Sequence, residues 1–104
     1  MTKSRRSMDY KLFWSKESIS NLEGILSYLE SEWADKELSK FKSKLSKQLD
    51  LIQKNPRLFP ISEVQPRLRK AVLSKQTTIF YELVDYEIHI AYLFNNRMDI
   101  KRIK

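Results

Sequence analysis

The chain changes hydrophobic period twice, and each change marks a group of elements. From Lys16 to Trp33 apolar residues recur at Ile19, Leu22, Leu26, Leu29 and Trp33. This alternation of short helical steps puts them on one side of an α-helix, and Ile25 and Tyr28 widen the stripe. Ser15 offers an N-cap hydroxyl, and Glu17 places negative charge in the first turn. Ala34 and Asp35 interrupt the pattern. Asp35 then caps a second helix whose stripe is Leu38, Phe41, Leu45, Leu49 and Ile52. Pro56 ends this helix near Asn55, because its ring disfavours helical geometry in the residue before it. The short link predicts an antiparallel helical hairpin.

Outside the helices the period falls to two. In Met8 to Trp14 the residues Tyr10, Leu12 and Trp14 alternate with Lys11 and Phe13, which predicts a strand that joins a later sheet. Asn55 to Gln65 reads as a loop stiffened by Pro56 and Pro60, with Leu58 and Phe59 expected to plug one end of the core. Three strands follow, at about Leu68–Ser74, Thr78–Val84 and Glu87–Phe94, rich in β-branched and aromatic residues. Strict alternation in the last would put Ile88, Ile90, Tyr92 and Phe94 on one face and Glu87, His89, Ala91 and Leu93 on the other. The links at Lys75–Gln76 and Asp85–Tyr86 are too short for a crossover, so these strands must be antiparallel. The order is β-α-α-β-β-β. The fold class is α+β, a helical hairpin packed on an antiparallel sheet.

Composition narrows the function classes. At 104 residues the chain is one domain, read as residues 8–104 after a basic tail over 1–7. The absence of cysteine excludes disulfides and thiolate metal sites. His89 is the only histidine, so no histidine cluster for a metal exists, and no metal or cofactor is expected. No apolar run approaches the roughly 20 residues of a membrane span. The basic N-terminus lacks the apolar segment of a secretory signal, which leaves the cytoplasm as the expected location. The net charge of +7 favours an acidic partner: nucleic acid, an acidic protein or an anionic surface.

A single glycine, Gly24, leaves no phosphate-cradling loop and no nucleophile elbow. His89 is a candidate general base for RNA cleavage, since imidazole titrates near neutrality; a half-buried packing histidine fits the same position. The remaining candidates are cations. Arg67, Arg69, Lys70, Lys75 and Arg97 fall on or beside the predicted sheet, where they could bind phosphates or dock an acidic segment. Arg69 and Arg97, read as exposed strand-end cations, are expected to contribute little to stability.

Four segments carry a family resemblance: WSKESISNLEGILSYL (Trp14 to Leu29), FKSKLSKQLDLIQKNPRLFP (Phe41 to Pro60), LRKAVLSKQTTIFYELVD (Leu68 to Asp85) and IHIAYLFNNR (Ile88 to Arg97). In this order they resemble the RelE/ParE superfamily of bacterial type II toxins, on the ParE-like, plasmid-stabilisation side. The resemblance implies a compact toxin held inactive by an acidic antitoxin, with no small-molecule substrate and no membrane. ParE-like members are associated with inhibition of DNA gyrase. RelE-like members cleave mRNA on the ribosome with sheet cations and a C-terminal tyrosine or histidine–tyrosine pair. Here Arg69 matches the L-R position and Arg97 the arginine after the last strand. Met98, Asp99 and Ile100 follow Arg97, without the tyrosine or histidine of the RelE set. The resemblance therefore favours gyrase inhibition, with mRNA cleavage through Arg69, Arg97 and His89 as the alternative. A remnant that only binds antitoxin or nucleic acid is a third reading.

Overall fold

The computed structural model describes residues 10–32 and 35–96. The predicted tail, Trp33, Ala34 and Arg97 lie outside the described residues. The elements are β1 (Lys11–Trp14), α1 (Lys16–Glu32), α2 (Asp35–Lys54), a 3-10 turn (Pro56–Leu58), β2 (Arg69–Val72), β3 (Thr77–Val84) and β4 (Glu87–Asn95). The order is the one expected, and the helices cover one face of a single four-stranded sheet.

Ser15 caps α1 as anticipated. Its Oγ accepts a hydrogen bond from the Ser18 amide at 3.0 Å, satisfying one of the free N–H groups of the first turn. The buried line of α1 is Ser18, Leu22, Ile25 and Leu29, rotated from the predicted stripe. Ile19, expected in that stripe, is 45% exposed, while Ile25 is 2% exposed. On α2 the expected Phe41, Leu45, Leu49 and Ile52 do face the core, and Ile52 is fully buried. Gly24 keeps an ordinary negative φ.

The strand order is β1-β4-β3-β2. The β2–β3 and β3–β4 pairs are antiparallel, as the short links require. β1 adds to β4 in parallel, so the whole sheet is mixed. The helical hairpin supplies the long return that a parallel pairing needs. The core joins Ile25 and Ile52 to Ala71, Ile79, Tyr81, Ile88, Ile90 and Leu93 on the covered face. Phe59 packs against it, whereas Leu58 stays largely exposed, so the loop plugs the core through one of the two expected side chains. At the β3–β4 turn Asp85 has φ 55°, a left-handed conformation that aspartate tolerates better than most residues.

One irregularity changes which side chains face out. Tyr81 pairs with Ile90 but Phe80 pairs with Tyr92, so Ala91 is an extra residue on β4. Before this bulge Ile88 and Ile90 point to the core. After it Leu93 and Asn95 do, and Tyr92 and Phe94 turn outward. The expected face assignment therefore holds up to Ile90 and reverses beyond it. Ser15, the cap of α1, and Asn21 within the helix bond the backbone at the bulge. Ser15 Oγ donates to the Ala91 carbonyl at 2.7 Å, and Asn21 Oδ1 accepts from the Leu93 amide at 3.0 Å. The Ala91 carbonyl and the Leu93 amide thus have side-chain partners.

Candidate functional site

The helices pack on one face of the sheet, and among the described residues no helix or strand covers the other, open face. Cross-strand register places Lys11, Phe13, Glu87, His89, Glu82, Val84, Phe80, Tyr92, Lys70, Val72, Thr78 and Phe94 there. Two stacked aromatic pairs cross it. Phe13 lies 5.1 Å from His89 at 16° between planes, and Phe80 lies 4.7 Å from Tyr92 at 20°. Both fit the offset stacking that side chains on neighbouring strands favour. Phe13, Val72, Val84 and Phe94 are each more than a third exposed. The charges on this face balance: Lys11 and Lys70 against Glu82 and Glu87.

Among the described residues the candidate cations do not converge. Arg67 sits just before β2 and pairs with Glu82 at 3.2 Å. Arg69 is the cross-strand partner of Tyr81 and so points to the covered side. Its Nη1 donates to the Phe59 carbonyl at 2.8 Å, half-buried beneath the loop. Lys70 pairs with Phe80 on the open face. Lys75 lies in the turn at the far end of β2, where its carbonyl accepts from Asn96 Nδ2 at 3.1 Å. His89 is on the open face, with Nε2 3.0 Å from Glu87 Oε1. The structure brings together His89, Glu87 and Phe13; it separates Arg69 from them and places Lys75 at the opposite strand end from Arg67.

Tyr81 holds a buried place that the residue pattern did not signal. It is fully buried, and its hydroxyl donates to the Pro56 carbonyl at 2.6 Å. Burial pushes its phenol up from 10.0 to about 12, with the Arg69 guanidinium opposing the rise. Phe59 meets its ring edge-on at 6.4 Å. Tyr81 and Arg69 together fasten the Asn55–Ser62 stretch to the sheet: one holds the Pro56 carbonyl, the other the Phe59 carbonyl. Pro56 followed by Phe59 and an L-R strand start was the only sequence signal for this node.

No protein-family model and no curated protein matches the sequence. Solved structures do match. A chromosomal ParDE toxin–antitoxin system from P. aeruginosa contains a chain with TM-score 0.68 and 18% identity, over 83% of this chain and 95% of that one. The chain shares its fold with that protein. The E. coli DinJ–YafQ toxin–antitoxin complex contains a similar chain at TM-score 0.59 and 11% identity, covering 86% of this chain and 94% of that one. The YoeB dimer from Staphylococcus aureus gives 0.56 and 18%, over 82% and 94%. The architecture is thus shared with these chains where little sequence is. No helix among the described residues is long and apolar enough to cross a membrane.

Proposed function

We propose that this protein is the toxin of a type II toxin–antitoxin pair, that it acts by binding a protein target, DNA gyrase, and that an acidic antitoxin neutralises it. The observation that carries this reading is the character of the open face. Six of its twelve residues are apolar or aromatic, its two lysines are matched by two glutamates, and four of its large apolar side chains are substantially exposed. Such a surface suits a protein partner, which gains by covering apolar area. A phosphate-tracking surface instead needs an excess of uncommitted cations. Arg67 and Arg69 are engaged by Glu82 and the Phe59 carbonyl, which further supports binding over phosphoryl chemistry. The antitoxin partner is supported by the ParDE and DinJ–YafQ assemblies in which similar chains occur. Lys70 on the open face and Arg67 at its edge are the proposed contacts, with Lys75 and Arg97 as further candidate cations.

The second reading, ribosome-dependent mRNA cleavage, is favoured by the bulge at Ala91. That bulge turns Tyr92 onto the same face as His89 and Lys70, giving an imidazole, a phenol and an ammonium a shared surface. Two assays on purified protein separate the readings: gyrase supercoiling, and a translating extract with primer-extension mapping of transcripts. Inhibited supercoiling with intact transcripts is the expected result. Cuts at ribosomal A-site codons with normal supercoiling would overturn the proposal in favour of the nuclease. Failure of the induced protein to arrest growth would leave the remnant reading.

A further inference from the structure

A second recess lies on the helical side, away from the open sheet face. It is a cleft of about 130 Å³ where α1, α2 and the β2–β3 turn meet. Leu29 of α1 and Phe41 of α2 line it, both half-buried, and the buried Thr77 and Asn95 lie at its inner end. Asn95 Nδ2 donates to Thr77 Oγ1 at 3.0 Å, which fixes that end. Ser74 lines the turn side, its Oγ accepting from the amides of Gln76 at 3.3 Å and Thr77 at 3.2 Å. The exposed Lys40 and Lys44 also line the cleft. They are one helical turn apart and therefore side by side. Neither belongs to an ion pair among the described residues, where the salt bridges are Lys54–Asp50, Arg67–Glu82 and His89–Glu87. Among the described residues Glu37 is the one acid in the lining, so two cations face one anion there.

Size and chemistry together restrict the occupant. Drug-sized ligands and nucleotides need pockets of roughly 300–1,000 Å³. A cavity of about 150 Å³ holds a benzene-sized group. The cleft therefore suits one side chain. Apolar walls with ammonium groups at the mouth fit a carboxylate on an apolar stem better than a bare phosphate, which would leave Leu29 and Phe41 uncovered. The net charge of +7 adds a long-range attraction for an acidic segment. We propose that this cleft is a recognition pocket for a single glutamate side chain presented by an acidic partner peptide, with Lys40 and Lys44 receiving the carboxylate and Leu29 and Phe41 packing on its stem.

Direct binding tests this without any assay of toxicity, so its failure is distinguishable from failure of the toxin reading. The probe is a fluorescein-labelled peptide of repeating Ala-Glu-Leu, with an Ala-Gln-Leu counterpart, followed by fluorescence anisotropy. The expected result is binding of the glutamate peptide that falls about tenfold or more in Lys40→Ala/Lys44→Ala and in the glutamine peptide. Lys42→Ala/Lys47→Ala removes the same charge from α2 outside the cleft and should change affinity less than about twofold. Glu37→Gln should tighten binding, since it removes the opposing anion. Chemical shifts of the Gln76 and Thr77 amides should move on titration. Equal losses in the two double-lysine variants would mean that net charge alone attracts the peptide and would overturn the pocket. So would equal binding of the glutamine peptide, or no binding.

Discussion

Replacing Tyr81 with phenylalanine deletes one oxygen from the best-defined polar contact in the core. The ring and its edge-on contact with Phe59 stay, so no sizeable cavity forms. What is lost is the 2.6 Å hydrogen bond to the carbonyl of the buried Pro56. An orphaned buried acceptor costs about 1–3 kcal/mol, so Tyr81→Phe should be less stable by that amount near neutral pH. Alkaline pH then works against the wild type. Its phenol is raised from 10.0 to about 12 in the folded state, so the folded chain holds this proton more tightly than the unfolded one. The corresponding stabilisation is complete below the unfolded value and is lost as pH rises through the folded one. A shift from 10.0 to about 12 corresponds to about 3 kcal/mol lost across that window. The variant has no phenol to ionise there and escapes this loss. Urea unfolding followed by far-ultraviolet circular dichroism, for both proteins from neutral pH to about pH 12, measures the gap. It should shrink steadily above the unfolded value and close or reverse near the top of the range. A gap that stays constant throughout would refute the burial argument for Tyr81.

Other substitutions separate the observed packing from the pattern-based one. Ile25→Ala should cost about 2–5 kcal/mol in denaturant unfolding and Ile19→Ala less than about 1 kcal/mol, because only the first empties a core position. The reverse ranking would restore the predicted stripe. Arg69→Ala should destabilise by about 1–2 kcal/mol, since the half-buried guanidinium holds the Phe59 carbonyl. Any growth-arrest comparison with this variant must therefore be made at matched folded fraction, and unchanged unfolding would show that the Phe59 contact contributes nothing. Asn21→Ala should leave the Leu93 amide without its partner and speed its hydrogen exchange, while amides at Ile79 and Ile88 keep their protection. Uniform acceleration across β4 would mean that Asn21 does not act on the bulge alone.

Much of the architecture was legible along the chain. The apolar steps of both helices, the Ser15 cap and the two short strand links are local features, and local chemistry decides them. The links also force antiparallel pairing among β2, β3 and β4. Candidate cations were legible as residues but not as a site, because whether a strand residue faces out depends on register, and register depends on partners. Arg69 reads as an exposed cation until its pairing with Tyr81 turns it beneath the loop.

The sequence by itself therefore determined the elements, their order and the covering of one sheet face by a helical hairpin. Tertiary structure alone decided three things. It placed β1 in parallel beside β4, since no local signal records which edge a first strand will join. It turned Ile19 out of the buried line of α1 and brought Ser18 into it, because the helix settles against the sheet it meets rather than against its own average pattern. It also inserted Ala91 as a bulge. Alternation cannot report an extra residue when both faces of a strand carry apolar side chains. Here Ser15 and Asn21, far away in the chain, supply the hydrogen bonds that make the bulge stable. That one residue moves Tyr92 and Phe94 out of the core and sets the character of the open face on which the proposed function rests.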